Sequence, residues 1–98
     1  QIPLDPATQA LAPGSIEDQA RQVFRNLAAV AGAAGGSLAD VVKLTLFLTD
    51  LADFQAVNAV MAEFFSAPYP ARATVGAAAL PRGAAIEVDA IMVLDRPE

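Results

Sequence analysis

The sequence predicts an α+β domain, and three observations carry that expectation. Apolar residues recur at helical spacing over residues 16–34, then at a period of two over 41–48, with one aliphatic face and one mixed face. A second helical run follows at 50–67, and two extended runs close the chain around a Pro-Arg-Gly turn. Helix, strand, helix, strand, strand is the order of an α+β fold.

Each element has a local cause. Gln1 to Gly14 carries Pro3, Pro6 and Pro13 and reads as an extended entry loop. Ser15 is a helix N-cap, with Glu17 and Asp18 in the first turn, where they favour the positive end of the helix dipole. The expected buried stripe is Ile16, Ala20, Val23, Phe24, Leu27, Val30, Ala31 and Ala34. Gly35 and Gly36 stop this helix, because glycine takes the left-handed conformation without steric cost. Val41 to Leu48 is a strand, with Val42, Leu44, Leu46 and Leu48 on one aliphatic face and Val41, Lys43, Thr45 and Phe47 on a mixed one. The aliphatic face should receive the helices. The mixed face suits burial against another subunit or around a cavity.

Asp50 caps the second helix, with Asp53 behind it, and Phe54, Val57, Met61, Phe64 and Phe65 form its buried stripe. Pro68 and Pro70 end it. Ala71 to Ala79 and Ala84 to Leu94 are two further strands, joined through Leu80, Pro81, Arg82 and Gly83 as a hairpin. Ile86, Val88, Ala90, Met92 and Leu94 make the apolar face of the last strand, and Glu87 and Asp89 project from the other.

Composition narrows the function. The chain has 98 residues, a formal charge of −5, and no histidine, cysteine or tryptophan. Alanine supplies 23 of the apolar residues, so the core is thin and apolar surface is expected to be shared between subunits. Without His or Cys, the common zinc, iron–sulfur and haem ligand sets and Ser-His-Asp or Cys-His machinery are unavailable within the chain. The acidic balance argues against a phosphate-tracking surface. No uncharged run approaches the roughly 20 residues needed to span a bilayer, and the expected setting is cytoplasmic.

Four residues are candidates for chemistry. Arg72 is the only charge between Glu63 and Arg82. It is solvated, paired structurally with Glu87 or Asp89, or waiting for an anion, because an unpaired buried charge is very costly. Glu87 and Asp89 share a strand face, which suits one of them to general acid or base work or, more blandly, solvates a sheet edge. Asn58 lies beside the apolar stripe of the second helix, as a bonded polar margin or as a ligand-facing amide. A hairpin centred near Pro81 and Arg82 would set Arg72 opposite Ile91 rather than Glu87, so cooperation between Arg72 and Glu87 would cross a subunit boundary.

Several stretches together resemble the RidA (YjgF) family of reactive enamine/imine deaminases. Gln1 to Pro6 (Gln-Ile-Pro-Leu-Asp-Pro) is similar to the family's loop after its second strand, and Asp40 to Asp50 to its central strand. Asp53-Phe54, Val57-Asn58 and Phe64-Phe65 match its second helix. Tyr69 to Val75 resembles the Pro-Ala-Arg signature, and Leu80-Pro81 with Ile86 to Ile91 resembles the closing hairpin. The likeness runs over essentially the whole chain in order.

It implies a chorismate-mutase-like sheet with two helices on one face, assembled as a homotrimeric barrel with clefts between subunits. It implies hydrolysis of 2-aminoacrylate-type imines to 2-keto acids and ammonia by a 2-iminobutanoate/2-iminopropanoate deaminase-like hydrolase, with no cofactor and no metal. By position, Arg72 is the family arginine that binds the substrate carboxylate. Glu87 is the glutamate that activates water, help typically worth about 10²–10⁴-fold. Asn58 matches an asparagine near the cleft, and Thr74 stands where many members carry cysteine. Family members usually have about 30 further N-terminal residues forming two strands, so residues 1–98 are expected to be one such domain without its N-terminal hairpin.

Two other functions compete. One is a non-catalytic member of the fold that binds small carboxylates as a sensor or protein-stabilising partner. The other is a ribonuclease or translation inhibitor, which the acidic, histidine-free chain makes unattractive; no nucleic-acid or membrane partner is expected.

Overall fold

The computed structural model describes residues 1–94, so the last four residues of the expected 1–98 domain lie outside the described residues. The described elements are α1 (Ile16–Ala33), β1 (Val41–Leu48), α2 (Phe54–Phe64), β2 (Ala71–Gly76) and β3 (Ile86–Met92). Single 3-10 turns at Leu38–Asp40, Leu51–Asp53 and Pro81–Gly83 connect them. Both helices pack on one face of a three-stranded mixed sheet.

The helix boundaries follow the expected chemistry. Ser15 accepts a hydrogen bond from the Asp18 backbone, and the Asp18 side chain accepts from the Ser15 backbone, a complete capping box. At the other end the Gly36 N–H donates to Ala31 (2.8 Å) and the Gly35 N–H to Gly32 (3.0 Å), with Gly35 at φ 90°. This paired closure satisfies carbonyls that the last turn would leave open. Asp50 caps the Leu51–Asp53 turn rather than α2 itself, and α2 starts from that turn.

The expected β2–β3 hairpin does not form. The strand order is β2-β1-β3, with β2 parallel and β3 antiparallel to β1. The segment between β1 and β2 contains α2, which is long enough to bring β2 back parallel beside β1. The next connection then passes the end of β1, where the Ala77 N–H donates to Leu48 (2.9 Å) and the Thr49 N–H to Ala85 (3.2 Å). The Pro81–Gly83 turn thus lies within a longer crossing loop, and β1 gains a partner on each side. Arg72 consequently lies opposite Leu44, not Ile91.

Leu44, Leu46 and Leu48 face the helices with Ile86 and Val88, and all five are buried. Phe24 of α1 is fully buried against Phe64 of α2 and Phe65 just after it, with ring centroids 5.4 and 5.9 Å away. Several expectations fail locally, Phe54 of the second stripe among them at 39% exposed. A bulge between Val41 and Lys43 turns Val41 into the core and leaves Val42 exposed. Val30 on α1 is 54% exposed although its neighbours Leu27 and Ala31 are buried, and Ala34 is exposed as well. The opposite face of the sheet carries Lys43, Thr45 and Phe47 on β1, with exposed Val75 on β2 and exposed Ile91 on β3. Among the described residues no helix is long and apolar enough to cross a membrane.

Candidate functional site

The placement of Arg72 follows from strand register. Arg72 pairs with Leu44, whose side chain points into the helix-covered face, so Arg72 also projects toward the helices. β2 is an edge strand, however, and the side chain reaches past the core to the flank of α2. There its Cζ lies over the Phe54 ring, 5.8 Å from the centroid, and Nη1 approaches the Met61 sulfur at 3.9 Å. Phe54 and Met61 are two helical turns apart on α2, so they present one side of the helix to the guanidinium.

Beside this contact is an open cavity of about 270 Å³ lined by Asn58, Met61, Ala62, Tyr69, Pro70 and Arg72. Its walls are mostly apolar, with the Asn58 amide, the Tyr69 hydroxyl and the guanidinium as polar groups. Among the described residues no carboxylate lies within ion-pair distance of Arg72; the ion pairs present are Arg21–Asp18 and Arg21–Glu63. The structural alternative for Arg72, a salt bridge to Glu87 or Asp89, is therefore not what the fold builds. Nor does the Asn58 side chain hydrogen-bond to a neighbouring element among those residues; it faces the cavity beside Arg72. A cationic fork with apolar surroundings and a nearby amide is suited to a small carboxylate carrying an apolar group.

Thr74 is two residues beyond Arg72 on the same face of β2 and half-buried, outside the cavity lining. Glu87 is elsewhere. It pairs with Phe47 on the uncovered face of the sheet, at the far edge strand. The structure thus brings together Arg72 and Asn58, keeps Thr74 adjacent, and holds Glu87 apart within one chain. Sequence reasoning missed Phe54, Met61 and Tyr69 as neighbours of Arg72, because helical spacing assigns Phe54 and Met61 to the core stripe. The available signal was the placement of Asn58 between them.

With the geometry in place, comparison with known proteins identifies the lineage. The family model described as Endoribonuclease L-PSP matches residues 1–94. The chain belongs to this family, the RidA (YjgF) family. A protein of Dermatophagoides farinae named 2-iminobutanoate/2-iminopropanoate deaminase is 44% identical over 95 residues, which cover 97% of this chain and 74% of that protein. The crystal structure of RidA from the Antarctic bacterium Psychrobacter superposes with a TM-score of 0.92 at 49% identity, covering 96% of this chain and 76% of that one. The crystal structure of E. coli TdcF with bound serine superposes with a TM-score of 0.91 at 42% identity, covering 97% and 75%. The RidA fold expected from the sequence is the fold observed, two helices on a mixed sheet.

Proposed function

We propose that this RidA-family chain is a hydrolytic deaminase of reactive enamine/imine intermediates of the 2-aminoacrylate type. Its products are 2-keto acids and ammonia, and its active sites lie at the subunit interfaces of a homotrimer. The observation that carries the reading is the Arg72 guanidinium lining the Asn58–Met61–Tyr69 cavity with no carboxylate among the described residues to neutralise it. In this reading Arg72 grips the substrate carboxylate and orients the imine carbon. Asn58 contributes an amide at the wall, and Thr74 flanks the grip. Glu87 of a neighbouring subunit takes a proton from water as its oxygen attacks that carbon. Glu87 returns that proton to the imine nitrogen, giving the carbinolamine; it then moves the hydroxyl proton to the nitrogen as the C–N bond breaks, releasing ammonia and leaving the keto acid. Support comes from the relative named as an imine deaminase and from the TdcF structure, whose bound serine carries a carboxylate.

The experiment is keto-acid release in a serine dehydratase-coupled assay. Arg72→Ala should abolish the acceleration while leaving the assembly intact, and an unaffected rate would refute the reading. One observation favours a second reading. Glu87 stands apart from Arg72 within a chain, so a protein whose neighbours do not supply it would bind carboxylates without turnover. Binding of 2-oxobutanoate with no deamination would establish that alternative.

A further inference from the structure

The contacts of Arg72 raise a question that carboxylate binding alone does not answer, namely what holds its long side chain in place before an anion arrives. An unbound arginine on an edge strand samples many rotamers, and ordering it on binding weakens affinity. A carboxylate partner would fix it but would also neutralise it and compete with the ligand. The structure uses neither arrangement. Phe54 lies under the guanidinium at 5.8 Å and the Met61 thioether accepts from Nη1 at 3.9 Å. Both are soft, uncharged acceptors. A ring contact takes up no N–H, so among the described residues Nε and Nη2 stay open to a bidentate carboxylate while Nη1 approaches Met61.

Phe54 is placed for this role by the turn that precedes it. The Leu51–Asp53 turn delivers Phe54 as the first residue of α2, where it is 39% exposed and packs less deeply than Val57, Val60 and Met61. Such an exposed aromatic on a helix stripe contributes little to the core. Its placement under Arg72 gives it another use.

We propose that Phe54 is a positioning residue: its ring, with the Met61 sulfur, pre-orients the Arg72 guanidinium so that the carboxylate finds an ordered and fully charged fork. This rests on the carboxylate-binding role proposed above for Arg72.

The test measures binding of 2-oxobutanoate by calorimetry, with melting temperature as a separate readout, in wild type, Phe54→Leu, Phe54→Tyr, Met61→Leu and Arg72→Ala. Phe54→Leu should weaken binding about two- to fivefold, the range set by a partly exposed cation–π contact. Phe54→Tyr should restore wild-type affinity because it restores the ring. Met61→Leu should weaken binding less. Weaker binding in Phe54→Leu at an unchanged melting temperature, restored in Phe54→Tyr, is a change that a purely structural role of Phe54 would not produce. Unchanged affinity in Phe54→Leu, with binding lost in Arg72→Ala, would overturn the positioning role and leave the carboxylate role standing. Wild-type affinity in Arg72→Ala would overturn both.

Discussion

Arg72 and Glu87 stand on opposite edges and opposite faces of the same sheet. Arg72 pairs with Leu44 on β2's side of β1, and Glu87 with Phe47 on β3's side. Leu44 and Phe47 point to opposite faces because strand side chains alternate. Two strand spacings, about 10 Å, separate the edges before any displacement along the strands is added. A reaction that uses both side chains on one substrate must draw them from different subunits. Mixed assemblies test this. Arg72→Ala and Glu87→Ala proteins, each inactive alone, should regain activity when unfolded together and refolded at equal ratio. Random cyclic trimers would place an intact Arg72 against an intact Glu87 at about one interface in four, giving roughly a quarter of wild-type activity. A mixture that stays inactive would show that the two residues do not meet across a boundary.

Arg21 and Glu63 clasp the two helices together through Nε to Oε1 at 3.1 Å and Nη2 to Oε2 at 3.0 Å. The Arg21 hydrogen bonds hold the Glu63 carboxyl below its ordinary value of 4.5, against the upward push of desolvation, and the Arg21 charge adds to the lowering. A depressed carboxylate stabilises the fold above its unfolded pKa, and that contribution is lost as pH falls through the folded value. Thermal melts of wild type and Glu63→Gln should therefore differ near neutral pH and converge as the pH falls below 4.5 and through the lower folded value. Added salt should narrow the neutral-pH difference, because both side chains are accessible to solvent.

Much of this was legible before the structure. Ser15, Gly35 and Gly36 declare the ends of α1 through local chemistry, which needs no tertiary partner to act. The alternation of Leu44, Leu46 and Leu48 declares the buried sheet face for the same reason. Strand order was not legible. Pro81, Arg82 and Gly83 offer turn chemistry in either topology, and the choice falls to the buried leucines of β1, which draw a strand to each side. The Val42 bulge is equally silent, since a one-residue slip preserves composition while exchanging faces. At the site, Arg72 was recognisable by its isolation in charge. Its contact with Phe54 depends on side-chain reach across the sheet edge, which spacing along the chain does not encode.

Gly35 takes φ 90° at the end of α1, where its N–H and that of Gly36 close the helix. A side chain in this left-handed region meets the following carbonyl. Gly35→Ala should cost about 1–2 kcal/mol, read as a lower urea midpoint with an unchanged slope. Gly32→Ala provides the contrast. A Cβ there meets nothing within 4 Å, and Gly32 lies inside the helix, where alanine is favoured by about 1 kcal/mol. The two substitutions should therefore move the midpoint in opposite directions.

Phe24 has no solvent exposure and is the bridge between α1 and the end of α2, tilted against Phe64 and edge-on to Phe65. In a core this rich in alanine, few large side chains stand ready to fill a void, so truncation leaves much of the cavity open. Phe24→Ala should cost about 3–5 kcal/mol, a large share of the roughly 5–15 kcal/mol typical of a domain. Phe24→Leu, which keeps most of the volume and loses only the ring contacts, should cost less. Denaturant titrations at one fixed protein concentration separate the two, since subunit association would otherwise shift the midpoint by mass action. Equal stability of Phe24→Ala and wild type would mean that the aromatic trio does not hold the helices together.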